Sequence, residues 1–289
     1  MKEKRIYYLD FYIPGELMAD FYINDIKIRS LSSGNGYEEL NPYILNSGVN
    51  LISIKMYSPN QEYLIKPEYI NIDKESLSPG IRTRIYTSNE NNENIQMIND
   101  FNFPVLELEL PIYEASWTFE AEVPYKLEGW RNAQDLTKID KEKLEKKVVA
   151  KFKEYREMLN SGDVDSFLQE RDQSDSEAYF SKYFSKKTED LWRQNIPIFL
   201  KKQKGIMLPL ENYKMKFYGD GRLVTLERID NKEIIISNTS TNLFGKSALL
   251  ADNKKPDDDG IQIFYDYVLL MMEEGSDKLK MVRFIDTID

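Results

Sequence analysis

The chain contains no cysteine and no histidine. Without cysteine there is no disulfide framework, no thiolate nucleophile and no thiolate-bound zinc. Without histidine the Ser-His-Asp and Cys-His mechanisms, imidazole metal ligation and the commonest general base all fall away. No run of about 18 apolar residues occurs, so no membrane-spanning helix is predicted. The most hydrophobic strings, Ile234-Ile235-Ile236 and Val268-Leu269-Leu270-Met271-Met272, have the length of strands. The opening Met1–Asp10 has no apolar stretch of the kind a secretory signal needs, so a cytoplasmic protein is expected. Acidic side chains also outnumber basic ones, 49 to 39. The formal net charge is −10, the wrong sign for direct binding to nucleic acid, where neutralised phosphates supply most of the affinity.

What remains is a chain of 289 residues, 41 % hydrophobic and 30 % charged, long enough for two cores. Its acidity is uneven. Residues 1–128 hold 20 acidic against 11 basic side chains, whereas residues 129–289 hold 29 against 28. Residues 100–128 alone carry Asp100, Glu107, Glu109, Glu114, Glu120, Glu122 and Glu128 against Lys126. Such a strip suits a basic partner, or simply keeps the protein soluble.

The pattern changes near Trp130, which divides the chain into domains at 1–130 and 131–289. The first part reads as β. Asp20–Ile28 alternates about an Asn24-Asp25 turn, and Leu51–Tyr57 places Ile52, Ile54 and Met56 on one face. Further strands are predicted at Ile81–Thr87, Val105–Tyr113 and Trp117–Pro124. Short strands with Gly, Pro and Asn between them indicate an antiparallel β-sandwich.

The second part reads as helices followed by an antiparallel sheet. Thr137 and Asp140 have capping-box spacing. Leu144, Val148, Phe152, Tyr155 and Leu159 then form one apolar stripe, which Asn160-Ser161-Gly162 ends. Asp163 caps a short helix from Val164 to about Gln169, and a third is expected over Ser176–Asn195, stopped by Pro197. Trp192 falls in that third helix as a core residue. Tyr213–Tyr218 and Leu223–Ile229 flank the hairpin turn Gly219-Asp220-Gly221. Ile234–Ser237 is a short strand, and Ile261–Glu273 with Lys278–Ile285 makes a long hairpin.

Three stretches resemble known families. Phe21–Asp25, Asn41-Pro42-Tyr43-Ile44 and Gly48–Ile54 are similar to a hairpin of galactose-binding-type jelly rolls, which implies a jelly-roll-like sandwich. Lys151–Leu168, a long helix, a Gly-Asp break and then a short helix, resembles the opening of the nuclear-transport-factor and SnoaL-like domains. That resemblance implies a cone-like helix-plus-curved-sheet domain. In general character the whole chain looks like the immunity proteins encoded beside bacterial polymorphic toxins, including type VI secretion effectors. That likeness implies a non-catalytic toxin inhibitor acting in the cytoplasm, with a cognate toxin of basic surface as partner and no cofactor.

The candidate sites follow from carboxylate spacing. Glu107 and Glu109 alternate with leucines and share a face if residues 105–113 are a strand; Glu120 and Glu122 do likewise. Paired carboxylates serve glycosidases, but alternation with leucine is also the pattern of a solvated face on a half-buried strand. These four are taken as the partner-binding residues. Asp257-Asp258-Asp259-Gly260 invites a calcium reading, yet an EF-hand loop in that frame puts Lys255 where an aspartate is needed. Gly245-Lys246-Ser247 lacks the upstream glycine of a phosphate loop. Two alternatives stay open: an enzyme or small-ligand carrier using a pocket of the cone domain, and a carbohydrate-binding module using exposed aromatics of the sandwich.

Overall fold

The computed structural model describes residues 3–58, 64–70, 81–229, 233–236, 239–253 and 263–288. The fold is α+β, with antiparallel sheets and, among the described residues, four α-helices. The chain divides into two compact units, Met1–Leu127 with Ser181–Tyr183, and Glu128–Phe180 with Phe184–Asp289.

In the first unit the strands are β1 (Arg5–Ile23), β2 (Ile26–Glu39), β3 (Gly48–Tyr57), β4 (Arg82–Asn89), β5 (Gln96–Asp100) and β6 (Ile112–Ala121). A single turn of helix, α1 (Pro67–Ile70), lies between β3 and β4. The sheet order is β5-β4-β1-β3-β6, with β2 also on β1. β1 organises the unit. Its first half pairs with β4 and its second half with β3, while β2 follows it along the other side. The β1–β2 register breaks between Ile13 and Met18. Tyr7, Leu9, Phe11 and Ile13 are buried before the break, and Leu17, Ala19, Phe21 and Ile23 after it.

The two halves meet through their aromatic side chains. The Phe11 and Phe21 rings stack at 4.2 Å, and Tyr7 lies 5.9 Å from Phe119 of β6. Gly36 faces the Phe11 ring so closely that a Cβ there would lie 2.6 Å from it. The turn after β1 uses Asn24 and Asp25, both with positive φ, the type I′ geometry that hairpins favour. Asn41, fully buried, then holds the chain: its amide oxygen accepts from Tyr7 N at 2.8 Å and its amide nitrogen donates to Arg5 O at 2.9 Å.

The segment predicted as a strand from Val105 does not become one. Residues 101–109 lie outside any strand, and β6 begins only at Ile112. Pro104 and Pro111 bracket the segment and remove two backbone donors, and the β3–β6 ladder ends at Tyr57 opposite Ile112. The Leu-Glu alternation is present in the sequence but has no core to face: Leu106 is buried, whereas Leu108 is 75 % exposed.

The second unit contains α2 (Lys141–Ser161), α3 (Val164–Ser181), α4 (Lys186–Lys201) and strands β7 (Tyr213–Tyr218), β8 (Leu223–Arg228), β9 (Glu233–Ile236), β10 (Thr239–Asn242), β11 (Leu250–Asp252), β12 (Ile263–Met272) and β13 (Leu279–Ile288). One sheet runs β11-β12-β8-β7 with β13 on β12, and β9 and β10 form a separate hairpin. Asp140 itself is the N-cap of α2, accepting from Lys143 N at 2.9 Å, while Asp135 caps the short turn before it. The capping role thus passes from Thr137 to the two flanking aspartates. Leu144, Val148, Phe152, Tyr155 and Leu159 are all fully buried against Val224 and Leu226 of β8 and Phe264, Val268 and Leu270 of β12.

The helix boundaries after α2 differ from expectation. α3 continues unbroken through Arg171–Ser176, because Arg171 and Asp175 pair at i,i+4 and so do Gln173 and Glu177. The break falls at 182–185, where Tyr183 has φ 56° and Ser185 caps α4 by accepting from Thr188 N. Pro197 sits inside α4 and does not stop it. The Asp257–Gly260 turn lies outside the described residues.

Gly162 closes α2 in the left-handed conformation, φ 83°, and an added Cβ would lie 2.9 Å from Lys204 Cδ. Gly162→Ala is therefore expected to cost about 1–2 kcal/mol. A urea melt checks this, and an unchanged midpoint refutes the strain argument.

Candidate interaction surface

β3 and β6 pair over ten positions, so odd-numbered side chains of β3 line up with even-numbered ones of β6. Inward lie Ile52, Ile54 and Met56 of β3 with Tyr113, Ala115 and Phe119 of β6. Outward lie the pairs Val49–Glu120, Leu51–Thr118, Ser53–Ser116, Lys55–Glu114 and Tyr57–Ile112. Val49 is 67 % exposed, and Leu51 and Ile112 are also exposed, as are Glu114 and Glu120. Lys55 answers Glu114 at 3.2 Å across the strands. This outward face mixes aliphatic side chains with carboxylates.

Glu120 therefore stands where the alternation put it. Glu122 lies just past β6 and is exposed; its backbone N–H and carbonyl are both bonded to the Tyr7 hydroxyl. Glu107 and Glu109 are exposed as well, but on the extended segment before β6 rather than on a second strand. That segment is tied to β6 at its start, where Tyr113 donates to Pro104 O at 2.7 Å and Trp117 Nε1 to Asn102 O at 2.9 Å. Val105, Leu108 and Leu110 are exposed along it. These aliphatic residues escaped the sequence reading, because alternation assigned them to a core.

Aromatic platforms are mostly committed elsewhere. Trp117, half-buried, stacks on Phe101 at 5.1 Å and receives the edge of Phe103 at 4.8 Å. Trp130 is buried in the second unit under the Arg283 guanidinium. Trp192, expected in a core, is 49 % exposed. The inner face of α4 is supplied by Ile196 and Leu200, about 40–80° further round the helix.

Two open clefts lie in the second unit among the described residues. One, of about 340 Å³, lies between α3 and α4 and is lined by Leu168, Gln169, Asp172, Asp175, Arg193 and Ile196. Burial pushes the Asp175 carboxyl up, while the Arg171 guanidinium, bonded to both its oxygens at 2.9–3.0 Å, pulls it back. The pairing occupies the lone pairs that a general base would use. The other cleft, of about 470 Å³, lies beside α2 and Tyr213.

Deeper in the second unit, Glu227 accepts from Tyr218 at 2.5 Å and from Tyr267. Burial, reinforced by the Glu227 charge, drives the Tyr267 hydroxyl well above its ordinary range. Among the described residues no group of three or more carboxylates is placed to hold a metal ion. Compared with known proteins, the chain matches no family model, no curated protein and no solved structure.

Proposed function

We propose that this chain is a non-catalytic binding protein of the immunity type, which neutralises a bacterial toxin by covering its active or substrate-binding surface. The observation that carries this reading is the outward β3–β6 face with residues 105–112. There Val49, Leu51, Val105, Leu108 and Ile112 are exposed among Glu107, Glu109, Glu114 and Glu120. Exposed aliphatic side chains set among charged ones suit a protein interface. The carboxylates suit a toxin of basic surface and would steer its approach, while the aliphatic centre slows its release. In this reading the protein acts in the cytoplasm, where an effector delivered by a type VI or related system would meet it. The bent six-stranded sheet supports a jelly-roll-like first domain, and helices α2–α4 on a five-stranded sheet support a cone-like second one.

Two measurements test the reading. Expressed with the toxin encoded by the neighbouring reading frame, the protein should relieve growth arrest; persistent arrest despite full expression overturns it. Replacing Glu107, Glu109, Glu120 and Glu122 by Gln should slow association with that toxin about tenfold at low salt and flatten its salt dependence. Circular dichroism should stay unchanged, since all four side chains are exposed. Wild-type association rates would refute steering by these residues.

A further inference from the structure

α4 carries a second apolar face that its own unit leaves open. Ile196 and Leu200 turn inward, whereas Leu191, Trp192, Ile198 and Phe199 are 41–56 % exposed. At about 100° per residue, Leu191, Ile198 and Lys202 fall along one line, with Trp192 and Phe199 on one side of it. Lys187 and Lys201 fall on the other side, and both are exposed. Of the two acids of α4, Asp190 falls nearer this face than Glu189, and Lys186 pairs with it at 3.0 Å. A chain of net charge −10 thus presents here an apolar stripe edged by lysines.

The stripe is also pre-ordered. The Trp192 ring stacks on Phe184 at 6.2 Å, and Phe184 stacks on Tyr179 at 5.5 Å. A contact made by a ring already held in place loses little side-chain freedom on binding.

The complementary chemistry occurs in the same sequence. Residues 105–110, Val-Leu-Glu-Leu-Glu-Leu, expose Val105 and Leu108 at 75 % each, with Glu107 and Glu109 beside them. We propose that α4 of one copy docks on residues 105–110 of a second copy, aliphatic on aliphatic and lysine against glutamate. In the proposed contact the two patches belong to different molecules. An anionic lipid surface is the poorer occupant. Each lysine near such a surface contributes about 1 kcal/mol, and the net charge of the whole chain opposes the approach. Residues 105–110 also belong to the surface of the toxin reading, so a second copy and a toxin would compete for them, but the test involves no toxin and can fail without it.

Sedimentation velocity across a range of protein concentrations decides it. The wild type should self-associate, and more weakly as salt rises. Glu107→Lys with Glu109→Lys should weaken association at least tenfold, and so should Lys187→Glu with Lys201→Glu. All four changes together should restore it, because the charges are then exchanged rather than lost. Leu191→Ser with Ile198→Ser should abolish it without moving the thermal midpoint. A wild type monomeric at every concentration overturns the proposal. So does self-association that both charge reversals leave untouched, or that the combined variant fails to recover. Binding to phosphatidylglycerol vesicles by a protein that stays monomeric in solution would assign the stripe to lipid instead, and would overturn it too.

Discussion

Raised above about pH 10, the protein is expected to unfold cooperatively, with the last of the tyrosinate absorbance appearing together with the loss of circular dichroism. The cause is a set of tyrosines whose hydroxyls are held protonated by the fold. Burial pushes Tyr113 up to about 12. Burial also drives up Tyr155, aided by the charge of Glu170, whose carboxylate accepts its hydroxyl at 3.0 Å. Tyr267 is raised by burial and by Glu227. An unfolded tyrosine titrates near pH 10. The stability these groups contribute is therefore whole below that pH and is lost as pH climbs towards the folded values. Each buried tyrosine costs about 1.4 kcal/mol per pH unit, so Tyr155 and Tyr267 together remove about 3 kcal/mol per unit from the second unit, and Tyr113 about 1.4 kcal/mol per unit from the first. A domain holds roughly 5–15 kcal/mol in all, so by pH 12 a large share of the second unit's stability is gone. Tyr155→Phe should flatten the slope for the second unit by about 1.4 kcal/mol per pH unit. Exposed tyrosines such as Tyr37 ionise first, so tyrosinate absorbance reaching the full value for all 19 tyrosines over an unchanged dichroism spectrum would refute the account.

Arg171→Met is expected to be the most damaging single substitution on α3, costing about 3–5 kcal/mol at neutral pH. The Arg171 and Asp175 side chains are 4 % and 10 % exposed, and the guanidinium lies 4.0 Å from the Phe284 ring centre. Methionine keeps much of the packing volume but leaves the Asp175 carboxylate buried without its guanidinium. The Asp175 carboxyl, already raised by burial, then rises further. A carboxyl raised in the folded state favours folding below its unfolded value near pH 4, and that benefit is lost as pH rises through the folded value. The deficit should accordingly be smallest near pH 4 and largest at neutral pH. Urea melts at the two pH values check this. A second substitution, Asp175→Leu, should recover most of the loss by removing the stranded charge. Equal deficits at both pH values would show that lost packing, not the charge, sets the cost.

Local patterns were legible where one residue type meets one local requirement. The stripe Leu144–Leu159 is buried at every position named from its spacing, since the period of an α-helix is a property of the backbone alone. Asn24-Asp25 and Gly219-Asp220-Gly221 form turns because small or short polar residues tolerate positive φ. Misreadings arose where a local rule met a tertiary alternative. Pro197 was expected to end a helix, but Ser185 and Tyr183 had already placed the break, and α4 runs through the proline. Trp192 looked like core because tryptophan usually is, yet Ile196 and Leu200 occupy the inner face.

The candidate surface divides in the same way. Glu120 could be placed on an outward face from alternation within one strand, because side chains of a strand point to opposite faces in turn. Glu107 and Glu109 could not, because alternation reports the pattern of a strand and not whether a partner strand exists to pair with it. The sequence by itself determined the α+β class, the acidic first part, the absence of thiol and imidazole chemistry, and most helix and strand cores. Only the tertiary structure decided that β1 serves three neighbours, that residues 101–109 lie outside any strand with Leu108 in solvent, and that α4 turns a tryptophan outward. Each of those outcomes depends on which distant elements compete for the same core, and no local window of sequence contains that competition.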